Sequence, residues 1–256
     1  MYVEPFAGAC GILLARPYNS EVREVVNDLD DSLINLWEVV RLRPEELISH
    51  LNRLPYSRNR FRQWRRQYLY TPDDWRQLSD MERAVRFFYL LRTSFSSWIA
   101  KDNAGFHHHP DLDQKSWAPR AFRSATARIA AVSQRIQEVL FENLDFAKII
   151  TKYDHRDTLF YVDSPYTTTV YRDSDTNPYY RYPWVEADDR RLAAALNECQ
   201  ARVMVSNYIC PLVDTLYAGW RRVERDVFCA SRSHQPSEAR RTELLLMNYD
   251  EQGARL

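Results

Sequence analysis

Two spacings of apolar residues alternate along this chain. The start, "MYVEPFAGACGILLAR", reads as a very short strand, a glycine turn and a helix, and Val22 to Val26 forms a second strand ending at Asn27-Asp28. Leu33, Leu36, Trp37 and Val40 then recur at i, i+3, i+4, i+7, the period of a helix buried along one face. Strand, helix, strand, helix in the first 40 residues predicts an α/β parallel sheet. From 41 to about 140 the strand pattern disappears. Pro44 opens a helix through Leu51, and "TPDDW" and "SDME" each read as a capping-box start. The second launches a helix with Met81, Ala84, Val85, Phe88 and Leu91 on one face. "AKDNAGFHHHP" is a loop, and 120–139 is helical again. The sheet pattern resumes at 158–163, followed by a polar and aromatic loop, a helix over 186–199 and the strand "ARVMVSNY". "RRVERDVFC" and "RTELLLMNY" close the chain as an antiparallel hairpin.

Composition adds an ordinary globular character, 45% hydrophobic and 27% charged over 256 residues. No apolar run approaches the ~18 residues needed to span a membrane, and the start lacks a secretory signal. Cys10, Cys199, Cys210 and Cys229 are scattered and show no CxxC spacing, so a reduced, cytoplasmic setting is expected, with Cys199 in core packing. Charge changes the picture more. The formal net charge is zero, yet residues 41–135 hold 18 basic and 9 acidic side chains against 17 and 26 elsewhere. Nearly all the basic residues in that block are arginine, whose planar fork suits phosphate. The block therefore points to a polyanion partner, or else to a solvated helical surface.

Ligands of an open α/β sheet gather at the carboxyl ends of its strands. Three such ends carry candidate groups here, "EPFAGACG", "ND" and "DSPY". The glycine turn matches neither a dinucleotide fingerprint nor a phosphate loop. With Asp28 at the next strand end placed for ribose hydroxyls, the order describes a site for an adenosine-type ligand without a pyrophosphate. His107, His108 and His109 read as polar loop rather than a ligand set, and no metal is expected.

"YVEPFAGACG", "VVNDLDDSLINLW", "YDHRDTLFYVDSPY" and "RTELLLMNY" resemble, in order and spacing, the Dam-like DNA adenine N6-methyltransferases over nearly the whole chain. The resemblance implies a Rossmann-like S-adenosylmethionine-dependent methyltransferase sheet, formed by 1–40 and 141–256, with an inserted, mainly helical target-recognition domain at 41–140. It implies that Asp163 and the Ser164 carbonyl accept the N–H bonds of an adenine flipped out of duplex DNA. Pro165 follows, and Tyr166 would stack on the base. Glu4, Phe6 and Gly8 would line the S-adenosylmethionine site, Asp28 would hold the ribose, and Asp145 and Phe146 would read the cofactor adenine, with Asp163 near the methionine end. The residues-only alternative for Asp145 is a helix N-cap. Arg92, Thr93, Ser94 and Lys101 fall where the family contacts DNA, and one chain, a monomer, suffices for the chemistry. Arg58, Arg60, Arg62, Arg65 and Arg66 suit phosphates or water equally, and Tyr179, Tyr180, Tyr182 and Trp184 suit a lid or packing on the sheet.

Three features depart from the family pattern. A Trp/Gly-Gly-Lys segment expected upstream of the first strand is not in this sequence, Cys10 stands where a second glycine is usual, and Ser164 replaces a first proline. They keep open an N-terminally truncated, inactive DNA-binding remnant, while related motifs keep open transfer to an RNA base or a protein amide.

Overall fold

Strands β1 (Tyr2–Glu4), β2 (Glu24–Asn27), β3 (Val139–Glu142), β4 (Leu159–Val162), β5 (Arg202–Tyr208), β6 (Arg221–Phe228) and β7 (Arg240–Met247) form one sheet in the order β3-β2-β1-β4-β5-β7-β6. β2, β1, β4 and β5 pair in parallel, while β7 runs antiparallel to both neighbours. This is the doubly wound order 3-2-1-4-5-6 with the last strand slipped between the fifth and sixth. The computed structural model describes residues 1–94, 99, 105–107, 118–166, 181–228 and 240–255. They fall into two compact units, 1–29 with 142–177 and 182–256, and 30–141 with 178–181.

In the sheet unit, alternation along the strands sorts the side chains. Val3, Val25, Phe160, Val162, Val203, Val205, Leu244 and Leu246 form one apolar face. Three helices supply its partners: Ile149 and Ile150 from α9 (Phe146–Tyr153), Leu192 and Leu196 from α10 (Glu186–Glu198), and Val213 from α11 (Pro211–Leu216). Cys199 closes the same core at 4% exposure, as its helical spacing predicts. The opposite face carries Tyr2, Glu4, Tyr161, Ser206, Tyr208 and Glu243. The short α1 (Gly11–Ala15) connects β1 to β2. The ends of this unit that flank 30–141 are stitched together: the Asp28 N–H donates to the Glu142 carbonyl (3.3 Å) and Asn143 Nδ2 donates to the Asp28 carbonyl (2.7 Å).

The second unit is helical: α2 (Asp31–Leu42), α3 (Pro44–Asn52), α4 (Arg58–Tyr70), α5 (Pro72–Arg76), α6 (Asp80–Thr93), α7 (Ala118–Ala127) and α8 (Ile129–Arg135). Its core is aromatic, with Phe61, Trp64, Tyr68, Trp75, Phe87, Tyr89 and Phe122 buried. The pattern expected α2 to belong with the sheet, whereas it groups with the helices, so the first boundary falls at 29/30 and the second at 141/142. Ser79 caps α6 through the Glu82 N–H (3.3 Å). Thr71 does not cap α5, because its hydroxyl turns back to the Gln67 carbonyl of α4 (3.3 Å). The buried face of α6 is Met81, Ala84, Val85, Phe87, Tyr89, Leu90 and Thr93, which leaves Phe88 and Leu91 only half-buried. The expected helix over 120–139 is two helices, α7 and α8, and its last residue opens β3.

Candidate active site at the parallel strand ends

The turn after β1 is held by the end of β2. Ala7 N–H donates to the Asn27 carbonyl (2.8 Å), and Gly8 N–H donates to Asp28 Oδ2 (3.0 Å). Gly8 and Cys10 both adopt the left-handed region, at φ 46 and 52 degrees, and a Cβ built on Gly8 would meet nothing within 4 Å. Cys10 is the one non-glycine residue of positive φ among the described residues. A side chain in that conformation costs on the order of 1–2 kcal/mol, which explains a preference for glycine there. Its thiol points inward, fully buried, and burial pushes it well above an ordinary cysteine pKa. The Glu4 and Asp28 carboxylates lie near enough to add to that rise. Asn27, 1% exposed, donates through Nδ2 to the carbonyls of Pro5 and Leu144 (both 2.9 Å), while its Oδ1 accepts from the Leu144 N–H (2.8 Å). One amide side chain thus ties three segments together.

β1 and β4 flank the point where the strand order reverses, and each ends in an acid. Glu4 is buried and accepts from the Tyr2 hydroxyl (2.7 Å) and the Leu13 N–H. Burial and then the Asp163 charge raise its pKa, against those hydrogen bonds and Arg16. Asp163 is open to solvent on one side, yet protein crowds its carboxyl. That desolvation raises its pKa, as does the Glu243 carboxylate, while a hydrogen bond from the Tyr166 hydroxyl opposes the rise. The Tyr166 ring packs 4.5 Å from that of Tyr208, centroid to centroid. The Ser206 hydroxyl serves both Tyr166 and Tyr161, whose pKa is pushed up to about 12 by burial. Ser164 turns to the other face at 3% exposure, and its hydroxyl has no hydrogen-bond partner among the described residues.

Beside β1, the Phe6, Phe146 and Trp184 rings form a triangle with centroid separations of 5.5, 5.6 and 5.6 Å. Asp145 caps α9 through the Ala147 N–H (2.9 Å), and its Oδ2 also meets Arg191 (2.9 Å). The Arg191 guanidinium lies 4.2 Å above the Phe146 ring. Trp184 is 5% exposed, with its indole N–H on Asp189 (3.0 Å), so it is packing. Tyr182 is half-buried, and Tyr179 and Tyr180 lie outside the described residues.

The structure brings Glu4, Phe6, Gly8, Asp28, Asp145, Phe146, Asp163, Ser164, Pro165 and Tyr166 into one unit. In the helical unit Arg92 is exposed, whereas Thr93 and Ser94 are buried. The Thr93 hydroxyl is bound to the Tyr89 carbonyl (2.7 Å), and Ser94 pairs as a bridge with Phe106. Lys101 lies outside the described residues, as do His108 and His109. No group of three or more metal-ligating side chains occurs among the described residues. Sequence reasoning placed Asn27 at a strand end without a role and missed Ser206, Tyr208 and Glu243. The polar and aromatic ending of "VMVSNY" was the available signal for two of them.

Residues 1–230 match the family model described as D12 class N6 adenine-specific DNA methyltransferase. The chain is 26% identical over 222 residues to the Retron Ec67 DNA adenine methylase of Escherichia coli, covering 84% of this chain and 71% of that protein. It is 22% identical over 262 residues to the Type II methyltransferase M1.LlaDCHI of Lactococcus lactis subsp. cremoris, covering 97% and 86%.

Proposed function

The chain belongs to the D12 class N6 adenine-specific DNA methyltransferases, and on that basis we propose that it moves a methyl group from S-adenosylmethionine to N6 of an adenine flipped out of duplex DNA. The observation that carries this reading is the meeting of Glu4, Asp163 and Tyr166 where the strand order reverses.

The residues fit the cofactor. The Asp163 charge raises the energy of the charged form of Glu4, and Glu243 does the same to Asp163, so a cationic ligand would relieve repulsion at both. Gly8 opens backbone to the site, Asp28 stands behind it for ribose hydroxyls, and the half-buried Phe6 ring, backed by the buried Phe146, suits an adenine. S-adenosylmethionine supplies an electrophilic methyl on a sulfonium when bound.

An adenine amino group is a weak nucleophile because its lone pair is shared with the ring. Asp163 accepts one N–H and the Ser164 carbonyl the other, which draws the lone pair toward the methyl carbon. Pro165 limits the backbone rotation that aims that carbonyl. Both acceptors would bind the positive charge that grows on N6 during transfer, and so would hold the transition state more tightly than the ground state. The proton that N6 then loses would pass to the Asp163 carboxylate that accepts its N–H. The Tyr166 hydroxyl occupies Asp163 in this structure, and the base's amino group takes its place while the ring stacks on the base. The helical unit serves as the target-recognition insertion, and one chain acts alone on the duplex.

The test is transfer of tritium from labelled S-adenosylmethionine to unmethylated duplex DNA. Label should appear at N6 of adenine and fall by about 100-fold or more in Asp163→Ala, the scale of losing one transition-state acceptor. Label that persists in the variant removes Asp163 from its role, and label on RNA or protein instead overturns the substrate.

A further inference from the structure

We propose that α4 is a clamp for the DNA sugar-phosphate backbone, made by Arg58, Arg62 and Arg66; the proposal rests on the DNA-directed reading above. The helix buries Phe61, Trp64 and Tyr68, and its exposed side runs Arg58, Arg62, Arg66, Tyr70 in steps of four residues. Each step is a rise of about 6 Å, so the three guanidinium groups form a row along the helix.

The five arginines of this helix divide by what they touch. Arg60 lies 5.0 Å over the Trp64 ring, and Arg65 Nε donates to the Ile99 carbonyl (2.9 Å). Both are half-buried and hold the fold. Arg58, Arg62 and Arg66 are exposed, and none has a carboxylate ion-pair partner among the described residues. Arg58 rests 5.5 Å over the Phe106 ring, which limits its swing without consuming its charge.

The row is unfavourable for the helix that carries it. α4 contains no acid, has Arg58 and Arg60 in its first turn against the helix dipole, and stacks like charges at i, i+4. Neighbouring α6 follows the opposite rule, with Arg83 paired to Asp80 (2.9 Å) and Arg86 to Glu82 (3.4 Å). A local rule broken on one helix and kept on the next points to a compensation outside the chain. A polyanion supplies it. Arginine forks grip phosphate oxygens, and Asn59 and Gln63, exposed beside the row, add neutral donors. The row also takes over a task expected of Thr93 and Ser94, whose side chains are buried.

The experiment measures binding of duplex DNA across a salt series for the full chain, for Arg58→Gln/Arg62→Gln/Arg66→Gln, and for a control with equal charge loss, Arg53→Gln/Arg123→Gln/Arg128→Gln. Each phosphate contact contributes about 0.9 to the slope of log affinity against log salt, so the row variant should lose about 2.7. Between ~50 and ~200 mM salt the unmodified chain should then weaken about 40-fold more than the variant. The loss should be the same for any duplex sequence, the control should keep the full slope, and the variant's thermal midpoint should not fall. An unchanged slope in the row variant, an equal loss in the control, or a loss confined to one sequence overturns the clamp. A full chain that does not bind duplex DNA overturns the functional reading itself.

Discussion

Asp163 is a strand-end acid whose neighbours decide when it is charged. Burial and Glu243 raise its pKa, and the Tyr166 hydroxyl lowers it. The carboxylate form is the N–H acceptor, so methyl transfer should fall on the acid side of neutrality, with a limb above the ordinary aspartate value of about 3.9. Glu243→Gln removes a repelling charge and should move that limb to lower pH, whereas Tyr166→Phe removes a hydrogen bond and should move it higher. Rate profiles of the three proteins decide this, and a limb that does not move with Glu243→Gln separates the two carboxylates. The same shifts act on stability. Asp163 and Glu4 have folded pKa values above their unfolded ones, so their contribution is full below the ordinary carboxylate values and is lost as pH rises through the raised ones. Asp163, Ser164 and Tyr166 were legible because they adjoin in sequence. Glu243 was not, since only the insertion of β7 beside β5 brings it to them.

Among the elements, α2 depends on one residue more than its amphipathic pattern suggests. Asp30 accepts from the Ser32 N–H (3.0 Å) and the Tyr68 hydroxyl (2.6 Å), and Arg181 lies 3.6 Å away. Its carboxyl is 15% exposed. Asp30→Ala removes the cap and leaves a buried hydroxyl and guanidinium with a lost acceptor, so unfolding free energy should drop by about 2–4 kcal/mol. Denaturant titration checks it, with Asp30→Asn falling less because the amide oxygen still caps. Helices with a long period, such as α2, α6 and α10, were readable from spacing. β3 was not, because "VLFE" is four residues joined to a helical run, too short to show a period of two. α11 escaped for a similar reason, with only six residues after Pro211.

Across the whole molecule, distant segments are joined by few side chains. Asn27 connects the turn after β1, the end of β2 and the segment before α9. Asn27→Asp keeps the shape but replaces two donated bonds with repulsion from two carbonyls. Its thermal midpoint should fall by several degrees, in line with one or two buried hydrogen bonds lost. An unchanged midpoint would show that the three segments hold together without it. The fold class was readable from the alternation of strand and helix, but the last strand's place between the fifth and sixth was not, since a hairpin signal does not say which of its strands meets the sheet.

The stitch between Asp28 and residues 142–143 has a consequence beyond stability. The helices between 31 and 135 depart and return beside this stitch, so a change of length among them need not pass into β1, β2 or β4. A stretch whose two ends are tied at neighbouring points is one that can lengthen or shorten without pulling on the strands that flank those ends.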